Sequence, residues 1–213
     1  MGHGIEIDLQ PSADGQAMVF HDATLARMTG AGGPVSDHSA AALSALRLAG
    51  SDHTIPTLSA VLAEVACRAP LLIELKPQPD PAGDDRLARA TAAALAGHAG
   101  PPAVMSFLPG PVAAMARHAP QIPRGLVTWG WDGPGAEDRP AHAPDLDHLR
   151  AIADFDALGC AFVSHHHRDL GRPQVAALKA RGVPILCWTV RSPTEAAAAR
   201  RIADQITYEG YTP

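Results

Sequence analysis

Two acidic residues and a histidine near the start of the chain have types and spacing that suit catalysis. Glu6 and Asp8 lie two apart in a β-rich run, so both carboxylates leave the same face of a strand. The Asp14-Gly15 pair that follows is a strong hairpin signal. A two-residue loop would place His21 directly opposite Asp8, with Cβ atoms about 5 Å apart, whereas a longer loop would shift the register by a residue or two. Either register gathers two carboxylates and an imidazole into one small volume.

A second pair with chemical potential lies in the apolar stretch 70–76, which predicts a buried strand. Residues 72, 74 and 76 share one face of such a strand, so Glu74 and Lys76 point the same way. Together with Glu6 and Asp8, Glu74 would make three carboxylates facing one volume, and such groups repel unless a cation neutralises them. Ligation by oxygen alone suits Mg²⁺ or Ca²⁺ better than zinc. The structural alternatives are a solvated strand face for Glu6 and Asp8, and a simple Glu74–Lys76 salt bridge.

Histidines and aromatic residues at later strand ends are weaker candidates. Three consecutive histidines, 165–167, follow a predicted strand, and one of them, most readily His166, could contact a substrate; loop and surface roles are the alternative. A metal site built from all three is not expected, because consecutive residues cannot converge on one ion without unusual backbone. Phe107 and Trp188 also end strands and could either line a site or pack in the core.

Short apolar strands alternate with helices of about ten residues, which favours a parallel sheet covered by helices. Seven such strands are predicted, near residues 5, 72, 104, 126, 162, 186 and 206. A (β/α)₈ barrel of the TIM type has eight strands and about 250 residues. One further βα unit of roughly 30 residues would therefore supply both the missing strand and the missing length. The sequence therefore predicts an α/β fold, a TIM-type barrel that lacks its first βα unit. An open doubly wound sheet is the competitor, but it would lack a Gly-rich nucleotide loop at its first βα turn.

The barrel prediction places the candidate residues at one edge of one domain, residues 1–213. Active sites of such barrels lie at the carboxyl ends of the strands, where Glu6, Asp8, Glu74 and Lys76 are expected. Residues 22–55 are too many for an ordinary connection and predict a small inserted segment, after the first strand, that caps the site.

The composition limits the classes of partner. Of the 213 residues, 46% are hydrophobic and 18% are charged, an ordinary balance for a chain that buries a core. The 17 basic and 22 acidic residues give a formal net charge of −5 without a basic stripe, so neither nucleic acid nor an anionic membrane surface is an expected partner. No apolar run approaches the roughly 20 residues that span a bilayer. The three widely separated cysteines indicate reduced thiols and a cytoplasmic location, and the oligomeric state stays open.

The candidate residues belong to a longer ordered series of motifs. Glu-x-Asp, the hairpin and His21-Asp22 are followed by Thr24-Leu25-x-Arg27-x-Thr29-Gly30 and by Leu72-Ile73-Glu74-Leu75-Lys76. Shorter segments complete the series: Ile55-Pro56-Thr57-Leu58, Ser106-Phe107, Trp188-Thr189-Val190 and Ile206-Thr207-Tyr208. In content and order the series resembles the glycerophosphodiester phosphodiesterase family. The resemblance implies a TIM-type barrel and the metal-dependent hydrolysis of a small glycerophosphodiester to glycerol 3-phosphate and an alcohol.

The resemblance also implies roles for individual residues. The family's metal ligands match Glu6, Asp8 and Glu74, its general acid matches His21, and an aromatic residue near the alcohol matches Trp188. Lys76 would stabilise charge on the non-bridging oxygens of the phosphodiester. One feature departs from the family, because the His-Arg pair that opens the first barrel strand has no counterpart in the sequence. We expect a late start codon or a fragment to account for this difference.

Two other functions remain open at this point. The first is a remnant that binds metal and ligand but hydrolyses little, since the loss of one acid–base group costs about 10²–10⁴ in rate. The second is another phosphodiesterase on the same barrel, of the phospholipase or phosphoinositide-cleaving kind. That class would more often show secretion signals, disulfides or a membrane-facing aromatic patch, and only 4% of the residues here are aromatic.

Overall fold

The computed structural model describes residues 2–133, 136 and 140–213, and a single eight-stranded sheet forms its centre. The strands follow the spatial order β2-β1-β3-β4-β5-β6-β7-β8, where β2 is antiparallel to β1 and all other neighbours are parallel. Their bounds are β1 Ile5–Pro11, β2 Ala17–Val19, β3 Leu71–Leu75, β4 Pro102–Ser106, β5 Arg124–Thr128, β6 Phe162–His166, β7 Ile185–Val190 and β8 Gln205–Tyr208. The seven predicted parallel strands are all present, and the hairpin strand is the eighth.

Successive parallel strands are also neighbours in the sheet, and the order never reverses. This winding is that of a TIM-type barrel, whereas a doubly wound sheet reverses its strand order at a switch point. The barrel prediction is therefore confirmed over the open one. Within the described residues, β2 and β8 are the two edges of the sheet.

The described residues contain eight α-helices, which lie mostly between successive strands. Four of them, α4, α5, α7 and α8, have proline at their first position, where the missing N–H is tolerated and φ is already helical. The bounds are α1 Ala26–Thr29, α2 Ala40–Ala45, α3 Leu58–Val65, α4 Pro81–Leu95, α5 Pro109–His118, α6 Leu146–Arg150, α7 Pro173–Ala180 and α8 Pro193–Ala199. No helix in this part of the chain is long and apolar enough to cross a membrane.

The central strands have both faces covered, and the two faces pack against different partners. Ile73 and Leu75 of β3 join a cluster with Leu87 of α4 and Met115 of α5, on the helical side of the sheet. Leu72 instead packs with a cluster built on Met105, Val127 and Phe162, contributed by β4, β5 and β6. Because side chains alternate along a strand, residues 72, 74 and 76 all belong to this inner face.

Residues 22–55 form a separate small layer beside the hairpin. The segment contains α1, a 3₁₀ turn at Val35–Asp37 and α2. Its apolar residues share a cluster with the hairpin: Met18, Phe20, Leu25, Val35, Ala40, Leu43 and Ile55. Asp14 in the hairpin loop accepts a hydrogen bond from the main-chain N–H of Ala40 at 2.8 Å, which ties the loop to the start of α2.

Candidate functional site

The three predicted carboxylates lie together at the sheet. Strands β1 and β3 are parallel neighbours, and their register places Asp8 directly beside Glu74. Glu6 leaves the same face of β1 two residues earlier. One oxygen from each of Glu6, Asp8 and Glu74 lies within 4.8 Å of the others. The predicted grouping of residues far apart in sequence is therefore present in the fold.

Lys76 lies among these acids and forms ion pairs with two of them. Its Nζ is 2.6 Å from Oε1 of Glu74 and 2.7 Å from Oδ1 of Asp8. The salt bridge anticipated as a structural alternative thus exists, and it lies within the acidic cluster. One ammonium group against three carboxylates still leaves a negative excess when all the groups are ionised.

Burial and the neighbouring charges shift the pKa values of the groups in the cluster. Burial and then the charges of Asp8 and Glu74 raise the pKa of Glu6 to about 8. Burial also raises the pKa of Glu74, which is only 5% exposed, although Lys76 acts in the opposite direction. Burial lowers the pKa of Lys76, but the charges of Glu74 and Asp8 outweigh it and leave that pKa above its ordinary value. The site favours positive charge.

These residues fit a hard divalent cation. The donor atoms are all carboxylate oxygens, they lie close enough to share one ion, and when all three acids are ionised they carry more negative charge than Lys76 balances. Mg²⁺ and Ca²⁺ prefer such oxygen ligands. A bound cation would also relieve the repulsion that raises the pKa of Glu6.

His21 lies just beyond β2, but the predicted pairing with Asp8 is wrong by one residue. Leu9 pairs with Val19, and the N–H of Phe20 donates to the carbonyl of Asp8 at 2.9 Å, so Phe20 stands opposite Asp8. The physical reason is the loop, which spans residues 12–16 and is closed by hydrogen bonds between Ser12 and Gln16. The Asp14-Gly15 pair lies inside this longer turn, as the alternative register allowed.

The imidazole of His21 is held by its neighbours rather than by the strand. Its Nδ1 lies 2.8 Å from Oδ1 of Asp22, and Arg27 donates two hydrogen bonds of 2.7 Å to the same carboxylate. The hydrogen bonds from Arg27 lower the pKa of Asp22 to about 2. The His21 side chain is 64% exposed.

The structure also brings together Phe107, Trp188 and His166. The ring of Trp188 lies 5.1 Å from that of Phe107 and 5.0 Å from that of His166, and its Nε1 donates to the carbonyl of Ser164 at 3.2 Å. These residues come from the carboxyl-terminal parts of β4, β7 and β6 or just beyond them. Both Phe107 and Trp188 also pack on the inner cluster of the sheet, so the two roles left open by the sequence are compatible.

Sequence reasoning missed several residues around these groups. Trp131 extends the aromatic group, with its ring 6.4 Å from that of Phe107 and 5.1 Å from that of Trp129. The position of Trp129 directly after β5 was the available signal. The supporting roles of Asp22 and Arg27 were also missed, although both lie in the motif that follows His21.

A cavity near Phe107 lies away from the acidic residues. It is small and partly open to solvent, and it is lined by Phe107, Thr128 and Trp131 together with residues of α6 and the segment after it. Thr128 is on the helical face of β5, because Val127 beside it packs inside the sheet. The cavity therefore extends between the sheet and the helices, away from Glu6, Asp8 and Glu74, and it shares Phe107 with the candidate site.

Fold and site together define an enzyme-like α/β barrel with an acidic centre on its inner face. The chain belongs to the glycerophosphoryl diester phosphodiesterase family, whose model matches residues 2–207. The members of that family are phosphoric diester hydrolases. No protein among the curated ones matches the chain.

Solved structures show the same fold at low identity. A phosphodiesterase from Oleispira antarctica, in complex with the product sn-glycerol-3-phosphate, has 23% identity and a TM-score of 0.80, covering 97% of this chain and 81% of its own. A glycerophosphodiester phosphodiesterase from Parabacteroides distasonis has 20% identity and a TM-score of 0.75, with coverages of 97% and 79%. One from Agrobacterium tumefaciens has 22% identity and a TM-score of 0.70, with coverages of 97% and 84%.

Proposed function

We propose that this chain hydrolyses small glycerophosphodiesters to glycerol 3-phosphate and an alcohol, with Mg²⁺ or Ca²⁺ as cofactor. The observation that carries the proposal is the cluster of Glu6, Asp8 and Glu74 around Lys76 in a member of the glycerophosphoryl diester phosphodiesterase family. The sn-glycerol-3-phosphate bound to the Oleispira antarctica relative supports the product.

In this proposal Glu6, Asp8 and Glu74 hold the cation. When bound, the cation supplies a Lewis acid that neutralises charge on the phosphate and lowers the pKa of a coordinated hydroxyl. Lys76 adds a fixed positive charge for the non-bridging oxygens, and its ion pairs keep it in place without solvent reorganisation.

His21 is proposed as the general acid that protonates the departing alkoxide. Its Nδ1 is engaged with Asp22, so Nε2 is the nitrogen that can deliver the proton. Asp22, itself held by Arg27, fixes the orientation of the ring. Trp188, Phe107 and His166 are proposed to contact the alcohol side of the substrate, and the segment 22–55, which begins with Asp22, is proposed to cap the site.

A second candidate is a chain that binds the cation and a glycerophosphodiester but turns it over slowly. The observation that favours it is the absence from the sequence of a counterpart to the family's His-Arg pair. In the resembled mechanism that histidine is a base or nucleophile, and the arginine binds phosphate.

The deciding experiment measures release of glycerol 3-phosphate from glycerophosphocholine by this chain, with Mg²⁺, with Ca²⁺ and with EDTA. We expect turnover that EDTA abolishes and excess cation restores. His21→Asn should lower kcat by about 10²–10⁴-fold. His53→Asn, at an exposed histidine, is the matched control.

Two outcomes would contradict the proposal. Turnover that persists in EDTA would remove the cation from the mechanism. Absence of turnover with the choline, ethanolamine and glycerol diesters, while calorimetry still detects cation binding, would favour the slow ligand-binding chain.

A further inference from the structure

Two buried glutamines lie next to the candidate site. Gln10 is near the end of β1, two residues after Asp8, and Gln78 is two residues after Lys76. Each is only 5% exposed. Glutamine is rarely buried so completely, because each amide brings two donors and an acceptor that must find partners.

The hydrogen bonds of this pair reach from the main chain at Lys76 to the main chain at His21. The Nε2 of Gln78 donates to the main-chain carbonyl of Lys76 at 2.7 Å and to Oε1 of Gln10 at 3.1 Å. The Nε2 of Gln10 donates to the main-chain carbonyl of His21 at 3.3 Å. A carbonyl oxygen can only accept, so both amide nitrogens must face the main chain. The pair connects the backbones of Lys76 and His21.

The Gln78 end of this connection is anchored in the helical layer. The N–H of Gln78 donates to Oδ1 of Asp84 at 2.8 Å, and Asp84 is almost fully buried in the first turn of α4. Gly83 leaves room for the glutamine, since a Cβ there would lie 2.7 Å from Cβ of Gln78. Gln78 therefore has little freedom to move, and a fixed residue can hold others in place.

We propose that Gln10 and Gln78 are positioning residues that set the geometry between Lys76 and His21. This inference rests on the proposed hydrolase function of the same site. Lys76 and His21 lie on separate connections, one after β3 and one after β2, and the glutamine pair joins the two through buried hydrogen bonds. Displacement of a catalytic group by about 1 Å can cost on the order of 10²-fold in rate, so a buried connection of this kind matters to turnover.

The test replaces each glutamine by methionine, which has a similar length but no amide. We expect Gln10→Met and Gln78→Met each to lower kcat by about tenfold or more, with KM changed much less, since the proposed role of both side chains is to position Lys76 and His21 and not to bind substrate. Gln121→Met, at an exposed glutamine, is the matched control and should leave kcat unchanged.

The double variant, which carries both Gln10→Met and Gln78→Met, shows whether the two glutamines act as one connected unit or independently of each other. If the glutamines act as one unit, the variant that carries both changes should lose little more than either single variant. Losses that multiply, or single variants that fold and keep wild-type kcat, would overturn the proposal. If a methionine variant does not fold, asparagine, which keeps the amide but shortens the side chain, provides the same test.

An NMR measurement tests the inference independently of turnover. The imidazole Cε1–H signal of His21, assigned by its absence in His21→Asn, should move in Gln78→Met even though Gln78 reaches His21 only through Gln10. It should stay in place in Gln121→Met. An inactive wild-type chain would contradict the proposed function alone, and an unmoved His21 signal would contradict the positioning role.

Discussion

Glu74 is the residue on which cation binding should depend most. It is buried, pairs with Lys76 and lies beside Asp8 across the β1–β3 register. Glu74→Gln keeps the shape of the side chain but removes one negative charge, so the remaining acids would be closer to balance with Lys76. We expect affinity for Mg²⁺ and Ca²⁺, measured by calorimetry, to fall by at least tenfold while the far-ultraviolet circular dichroism spectrum is unchanged.

The matched control for this variant is Glu64→Gln. The Glu64 side chain is 88% exposed on α3 and carries the same charge. Its replacement should leave cation affinity within twofold of the wild type, because an exposed charge is screened by solvent. Wild-type affinity in Glu74→Gln would remove Glu74 from the proposed cation site.

His165 should make the stability of the protein depend on pH. It is buried on the helical side of the sheet, with Nδ1 2.7 Å from Oγ1 of Thr128, and burial lowers its pKa to about 4. Above pH 6.5 the residue is neutral in both states. Between pH 6.5 and pH 4 the unfolded chain binds a proton that the folded chain does not, so stability falls as the pH is lowered. The contribution lost between pH 7 and pH 5 is about 2 kcal/mol.

Urea unfolding at pH 7 and pH 5 measures this contribution. His165→Gln should reduce the difference in free energy of unfolding between the two pH values by about 2 kcal/mol. His53→Gln, at an exposed histidine, should leave that difference unchanged. An equal pH dependence in the wild type and in His165→Gln would show that His165 does not carry the effect.

At the scale of the elements, the close packing of β5 against β6 on the inner face of the sheet depends on a glycine. Gly125 pairs with Phe162, and a Cβ on Gly125 would lie 2.6 Å from the main-chain oxygen of Phe162 and equally close to its ring. Gly125→Ala should therefore strain the inner core and lower the free energy of unfolding by about 1–3 kcal/mol. Gly171→Ala, where a Cβ would meet nothing within 4 Å, should change it by much less.

The element scale also shows why the strands were predictable and the hairpin register was not. The central parallel strands, such as β3, β4, β5 and β6, are short, mainly apolar runs with most residues buried, and such runs are visible in the sequence. The register depends instead on how the loop 12–16 closes, and the side chain of Ser12 decides this by bonding Gln16 and Asp14. A one-residue difference in the length of such a loop shifts the strand pairing near His21 by one position. The hydrophobic periodicity of the sequence carries no information about this shift.

At the scale of the whole molecule, the sequence located the acidic residues but not the contacts that tune them. Alternation and strand order were enough to place Asp8 near Glu74, although 66 positions separate them in the chain. The Gln10–Gln78 connection could not be predicted, because it depends on side-chain reach across β1 and the segment after β3. Trp131 was missed for a similar reason, since it belongs to no strand and has a positive φ of 52°.

The proposed cation site should also couple to the stability of the entire fold. Its ligands come from β1 and β3, which meet only when the sheet has formed, so the cation should bind the folded state and not the unfolded chain. At a concentration one hundred times its Kd, such a ligand stabilises the folded state by about 2.7 kcal/mol. For a chain of this length that corresponds to a rise in Tm of roughly 5–10 °C. Scanning calorimetry with CaCl₂ or MgCl₂, against NaCl at equal ionic strength, should show this rise in the wild type and a rise of about half that size or less in Glu74→Gln. An equal rise in both proteins would place the bound ion elsewhere.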